Sequence, residues 1–150
     1  MDDIDRALLR SLMENGRASF AELGRLVGLS GPSVQERVRR LEERGVITGV
    51  HAAVDPAAVG LGVSALVGIY SSDGAETDDV ARRLREVVEI EDCWYVAGEE
   101  EFVAKVRAAD VAALEHVVSK VRRLRGVSRT RTTVILSTRW EHRVGPVPEA

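Results

Sequence analysis

Apolar residues fall into two rhythms along the chain, one helical and one alternating. In the first third, Ile4, Leu8 and Leu12 recur at i, i+4 and i+8 with Leu9 beside them. They predict a helix from about Ile4 to Glu14, with acids in its first turn and Asn15-Gly16 at its end. Phe20, Leu23, Leu26 and Val27 predict a second helix with one buried face. Ser19 and Glu22 stand at capping-box spacing at its start. Gly28 stands where the chain must turn left-handed, which a residue without Cβ does most easily. Leu29 then returns to the core, Ser30 caps a third helix, and Pro32 lies in its first turn. Val34, Val38 and Leu41 form the buried stripe of that helix, and Gly45-Val46-Ile47 closes it. Val46 to Val54 reads as a strand, a wing, that Asp55-Pro56 ends.

The second rhythm begins at Val63. Val63, Ala65, Val67 and Ile69 alternate with Ser64, Leu66, Gly68 and Tyr70, the period of a strand. A turn over 71–74 leads to a helix opened by Thr77 and marked by Val80, Leu84 and Val87 or Val88. Ile90 to Ala97 and Phe102 to Arg107 read as a hairpin broken at Gly98. Asp110 caps a helix burying Val111, Leu114, Val118 and Val121, which Gly126 closes before a last strand from Val127 to Thr138. The order β-α-β-β-α-β is the ferredoxin-like split arrangement. The fold class is therefore α+β: a winged helix-turn-helix domain over residues 1–54, a Gly-rich linker over 55–62, a ferredoxin-like domain over 63–139, and a tail over 140–150. The sheet face away from the helices is expected to carry Leu66, Tyr70, Val134 and Leu136, an apolar patch for a second subunit to cover.

The third helix carries the most specific chemistry. Pro32, Ser33, Glu36, Arg39 and Arg40 fall opposite its buried stripe, with Arg37 flanking. A helix of this kind enters a major groove with its N-terminal residues at the base edges. Arginine suits the task because its planar fork grips guanine or phosphate with two hydrogen bonds. The same pattern also fits a solvated face, since Glu36, Glu42 and Glu43 interleave with the arginines at ion-pairing spacing.

Charge and composition narrow the picture. Net charge is −3, and residues 1–54 carry eight arginines against eight acids. That excludes a generic basic nucleic-acid coat, so DNA binding must rest on local placement of arginines and on dimerisation. No apolar run approaches the ~20 residues of a membrane span. The start, MDDIDR, lacks the apolar stretch of a secretory signal, and Cys93 stands alone. The expected compartment is a reducing cytoplasm. His51, His116 and His142 are too scattered to bind a metal, and no cofactor motif appears. Trp94 and Tyr95 alternate on a strand, one for the core or an interface and the other free to line a site. Arg122, Arg123 and Arg125 end their helix, where cations suit the dipole; the competing reading is a second DNA path around an oligomer.

These blocks together resemble the Lrp/AsnC family of feast/famine transcriptional regulators. The resemblance rests on Ile4-Asp5, Leu8-Leu9, Gly16-Arg17, Glu22-Leu23, Val27-Gly28-Leu29-Ser30, the run from Arg37 to Glu42, Gly45-Val46-Ile47, Ala97-Gly98, Gly126-Val127 and Thr130-Arg131-Thr132. It implies a regulator that binds double-stranded DNA through Ser30, Pro32, Ser33, Glu36, Arg37, Arg39 and Arg40, with no catalytic role. It implies a homodimer built by the second domain and assembling further, often to an octamer. It implies a small effector, usually an amino acid, held near the hairpin loop and final strand: Ala97, Gly98, Glu99 and Glu101 with Thr130, Thr132 and Thr133. Loop amides and threonine hydroxyls can receive a carboxylate there, and an acid can receive an ammonium.

This chain has Gly98-Glu99-Glu100-Glu101 where the family commonly has Gly-Asp-x-Asp or Gly-x-x-Asp. Three acids together suggest a cationic effector such as arginine or lysine; alternatively Glu99 and Glu100 are a solvated turn. Two other functions compete with an effector-responsive regulator. One is an effector-free DNA-architectural protein, which would bind unrelated DNA with strong salt dependence. The other is an enzyme such as a haem-pathway decarboxylase, for which the chain offers acids only near Glu99–Glu101.

Overall fold

The computed structural model describes residues 1–141 together with Gly145 and Val147. The chain divides into two compact units, Met1–Ala53 and Val54–Arg139, with Trp140 and Glu141 grouped with the first. Most of the tail expected over 140–150, including His142, lies outside the described residues.

The first unit is three helices: α1 (Asp3–Glu14), α2 (Phe20–Val27) and α3 (Gly31–Glu43). Each starts on a side-chain cap. Asp2 and Asp5 form a capping box on α1, Ser19 and Glu22 another on α2, and Ser30 accepts from the Ser33 amide on α3. These caps satisfy amide groups that a helix start leaves without partners. Leu8, Leu23, Val34 and Val38 make the core, with Ile4, Leu12, Val27, Leu29 and Ile47 packed around it. The α2–α3 turn needs two glycines. Gly28 is left-handed at φ 69°. A Cβ on Gly24 would lie 2.5 Å from the Leu29 carbonyl oxygen, so the turn closes only over a bare backbone.

Two expectations for this unit fail. Phe20 and Leu26 are exposed, because Leu23 and Val27, one turn apart, already fill the side of α2 that meets the core. No strand forms over 46–54. A strand exists by exchanging backbone hydrogen bonds with a neighbour, and no second strand lies beside this segment among the described residues. Its contact is local: a Cβ on Gly16 would sit 2.9 Å from Val50 Cγ1, so Val50 lies against the α1–α2 turn.

The second unit opens with a 3-10 turn at Ala57–Val59 and continues as β1 (Val63–Ser71), α4 (Thr77–Arg85), β2 (Ile90–Tyr95), β3 (Phe102–Ala108), α5 (Val111–Arg122) and β4 (Val127–Ile135). The sheet order is β2-β3-β1-β4, antiparallel at every pairing. Ala65, Val67 and Ile69 of β1 stand opposite Val106, Ala104 and Phe102 of β3. Directly opposed residues share a face, and these six join Val80, Leu84, Val87, Leu114, Val117 and Val121 in the core. Thr77 is the first residue of α4 rather than its cap, and Glu76 before it makes no side-chain cap bond. The hairpin strands stop at Tyr95 and resume at Phe102, a longer loop than the three or four residues expected. Val111 is exposed and Val118 is partly buried against the core, while Val117 takes the fully inward position.

The face away from the helices carries Leu66 and Tyr70 as expected, but not Val134 or Leu136. Val134 stands opposite Ala65 and so lies on the helix side, at the sheet edge. Leu136 lies beyond β4 and is exposed. The face instead centres on charge. Glu91 meets Lys105 Nζ at 3.1 Å and Arg107 Nε at 2.6 Å, and Arg107 also donates to Ser64 Oγ at 3.1 Å. Burial pushes the Glu91 carboxyl up, but the hydrogen bonds and charges of Arg107 and Lys105 outweigh it and hold the group below its ordinary value. Alternation could not distinguish such a face from an apolar one, because Lys105 and Arg107 reach their partner across β2 and β3. No helix among the described residues is long and apolar enough to cross a membrane.

Candidate nucleic-acid interface and ligand site

The N-terminal half of α3 presents Pro32, Ser33 and Gln35 to solvent, with Arg39 and Arg40 exposed further along. Val34, Val38 and Leu41 hold the opposite side in the core, and this burial sets which way the polar residues point. The two serines are partly used locally: their hydroxyls lie 2.8 Å apart, and Ser30 Oγ also caps the helix. Glu36 binds two arginines at once. Its Oε2 accepts from Arg39 Nε at 3.0 Å, and its Oε1 accepts from Arg39 Nη2 at 2.7 Å and Arg40 Nε at 3.2 Å. Glu43 pairs with the other edge of Arg39. The hydrogen bonds from Arg39 hold the Glu36 carboxyl below its ordinary range.

Arg37 takes another direction. Its Nη1 donates to Asp2 Oδ2 at 2.7 Å and Asp5 Oδ1 at 2.8 Å, tying α3 to the capped start of α1. Asp2 is held below its usual value first by the Asp5 amide and then by Arg37. Arg37 therefore orients the helix that carries Arg39 and Arg40. Gln35 is absent from the sequence-derived set, although its amide can read adenine with two hydrogen bonds. Its place beside Pro32 on the helical wheel was the available signal.

In the second unit the three loop glutamates diverge. Glu99 is exposed. Glu101 reaches the start of α4, where Thr77 Oγ1 donates to its Oε1 at 2.6 Å. Glu100 folds back over the sheet: its side chain is 13% exposed and pairs with Arg131 of β4. A Cβ on Gly68 would lie 2.7 Å from Glu100 Cγ, so glycine makes room for this carboxylate on β1. Its own backbone amide, Arg131 and the Tyr70 hydroxyl hold Glu100 below its usual value, against a smaller effect of burial. Arg129 stacks over the Tyr70 ring at 3.8 Å, completing a charged cluster of Tyr70, Glu100, Arg129 and Arg131.

The register separates the expected threonines. Thr130 and Thr132 stand opposite Ile69 and Val67 on the helix side, whereas Thr133 stands opposite Leu66 on the other. Ala97 and Gly98 are exposed in the loop, and Glu100 Oε2 lies 3.9 Å from the place a Gly98 Cβ would take. Glu100, Arg131 and Tyr70 escaped the sequence reading because their meeting depends on strand register. Trp94 and Tyr95 are both exposed; the Tyr95 ring tilts against Phe102, with centroids 5.5 Å apart. Among the described residues no group of three His, Cys, Asp or Glu side chains could hold a metal ion.

A capped helix-turn-helix unit followed by a split β-α-β sheet unit defines a DNA-reading module joined to a ligand-type domain. Residues 1–42 match the AsnC-type helix-turn-helix domain, and residues 64–144 match the Lrp/AsnC ligand binding domain. The chain belongs to the Lrp/AsnC family. It is 47% identical to the HTH-type transcriptional regulator LrpA of Mycobacterium tuberculosis, over 95% of each chain. Among solved structures it is similar to the feast or famine regulatory protein of M. tuberculosis complexed with L-methionine, with a TM-score of 0.92 and 46% identity over 97% of this chain and 99% of that one. A transcriptional regulator of Neisseria meningitidis, solved as an L-methionine complex, gives a TM-score of 0.87 at 25% identity, over 99% of this chain and 96% of that one.

Proposed function

We propose that this chain is a transcriptional regulator whose first domain, residues 1–54, reads double-stranded DNA and whose second, residues 63–139, binds an amino acid and builds the oligomer. The observation that carries the reading is the polar, core-anchored side of α3, whose direction is set by Val34, Val38 and Leu41. Ser30, Pro32, Ser33, Gln35, Glu36, Arg39 and Arg40 face the groove, and Arg37 holds the helix in place. Exposed Val46, Val50 and Val54 in a stretch without strand partners support pairing with a second copy, and assembly to an octamer extends the same scheme.

The effector is a zwitterionic amino acid bound around the 96–101 loop, between Ala97, Gly98 and Glu99 and the Thr130–Thr133 segment. The argument for an arginine or lysine effector weakens, because Glu100, one of the three acids, is already paired with Arg131. A neutral side chain agrees with the L-methionine held by the two related structures. The test is one experiment in two stages. Selection from a random duplex pool by the full-length protein is expected to enrich one sequence, whose affinity then changes with one or a few of the twenty amino acids. An unenriched pool would overturn the DNA reading. An enriched pool whose affinity no amino acid alters would overturn the effector reading.

A further inference from the structure

We infer that Glu36 sets the sequence discrimination of α3 by withholding Arg39 and Arg40 from non-specific phosphate contact. This rests on the DNA-reading role proposed for α3. Arg39 and Arg40 are the exposed arginines within α3, Arg37 being tied to Asp2 and Asp5. One carboxylate serves both: Glu36 takes Arg39 through both its oxygens and Arg40 through one of them. Glu43 closes the remaining edge of Arg39. Glu42, on the same helix and exposed, makes no ion pair among the described residues. Two of the three acids of α3, Glu36 and Glu43, are therefore engaged by Arg39 and Arg40.

Phosphate attraction is alike on every sequence, whereas base edges differ. An arginine already held by a carboxylate gains little by exchanging it for a phosphate, since one anion replaces another. Phosphate and the guanine O6/N7 edge can each take an arginine with two hydrogen bonds, but phosphates are met wherever the helix lands, whereas a given guanine edge is met in one seating only. Glu36 also places a negative charge toward the backbone of any duplex that is wrongly seated. Both effects lower non-specific binding more than specific binding, and the near-neutral charge of residues 1–54 fits such a design.

The test compares the full-length protein with Glu36→Gln and Glu42→Gln, which change net charge equally. Each is titrated across a salt series against a random-sequence duplex and against the duplex that wild type selects from a random pool. Glu36→Gln is expected to bind the random duplex about three- to tenfold more tightly at low salt, the scale of two lost surface ion pairs. Its salt slope should steepen by about 0.9 for each arginine released to a phosphate. The selected-to-random affinity ratio should fall, while Glu42→Gln stays near wild type. Equal behaviour of the two variants would show a bulk charge effect and overturn the inference. So would a Glu36→Gln protein that loses the selected duplex without gaining on the random one, because Glu36 would then contact a base directly. If wild type selects no duplex, the DNA reading itself fails, a result distinct from the other two.

Discussion

The two units of this chain reach order by different routes. In the helical unit the polar contacts that shape the structure are mostly short in sequence: Asp2 with Asp5, Ser19 with Glu22, Ser30 with Ser33, Glu36 with Arg39 and Arg40. In the sheet unit they join distant segments: Glu100 with Arg131, Glu101 with Thr77, Arg107 with Ser64. The cores differ too. Among the described residues six buried apolar side chains lie in the helical one, against thirteen in the sheet unit. A unit with few core residues depends heavily on each of them and on its caps, and a ligand site built from distant segments depends on register.

The comparison can be broken at several points. Gly98→Trp should abolish the response to the effector while leaving DNA affinity intact, since the indole would fill the open space beside Gly98 and Glu100 Oε2. Amino-acid thermal shift and DNA titration on the same variant check this, and an unaltered shift would move the ligand away from the loop. Leu8→Ala should destabilise the helical unit by about 2–5 kcal/mol through the cavity it leaves. Denaturant unfolding should then show an early helical transition with the sheet unit intact; a single later transition would mean the two units unfold together. A smaller effect is expected at the α2 cap, where Ser19→Ala should cost about 1 kcal/mol.

That capping box also responds to acid. The Ser19 amide and hydroxyl hold Glu22 below its ordinary value in the folded state. A depressed carboxylate contributes stability that is present above the unfolded value, near 4.3, and is lost as pH falls through the folded one. Glu22→Gln, which removes the titrating group, should therefore flatten the acid side of the stability profile of the helical unit. An unchanged profile would locate the acid response in other carboxylates of that unit, Asp2 and Glu36 among them.

Much of the helical unit was legible in the residues. Ser19-x-x-Glu22, Gly28 and the Val34-Val38-Leu41 stripe place α2, the turn and α3, because caps and helical periodicity act over three or four positions. Gly24 was not legible, since its need arises from the Leu29 carbonyl reaching back across the turn. The order of elements in the sheet unit was also readable from alternation and spacing. Its faces were less so: Val134 was placed on the wrong side, and the charged Glu91-Lys105-Arg107 cluster was missed.

What the sequence determined by itself is the five helices and four strands of the two units, their order and the outward side of α3, all consequences of local periodicity and capping, whereas the strand read over 46–54 did not form. Tertiary structure alone decided that Arg37 would bind α1, that Glu100 would turn inward over Gly68 to Arg131, and that Thr133 would part from Thr130 and Thr132. The physical reason is that strand register and helix packing bring together residues more than twenty positions apart. No pattern within a single segment encodes which of several equally charged side chains will meet its partner.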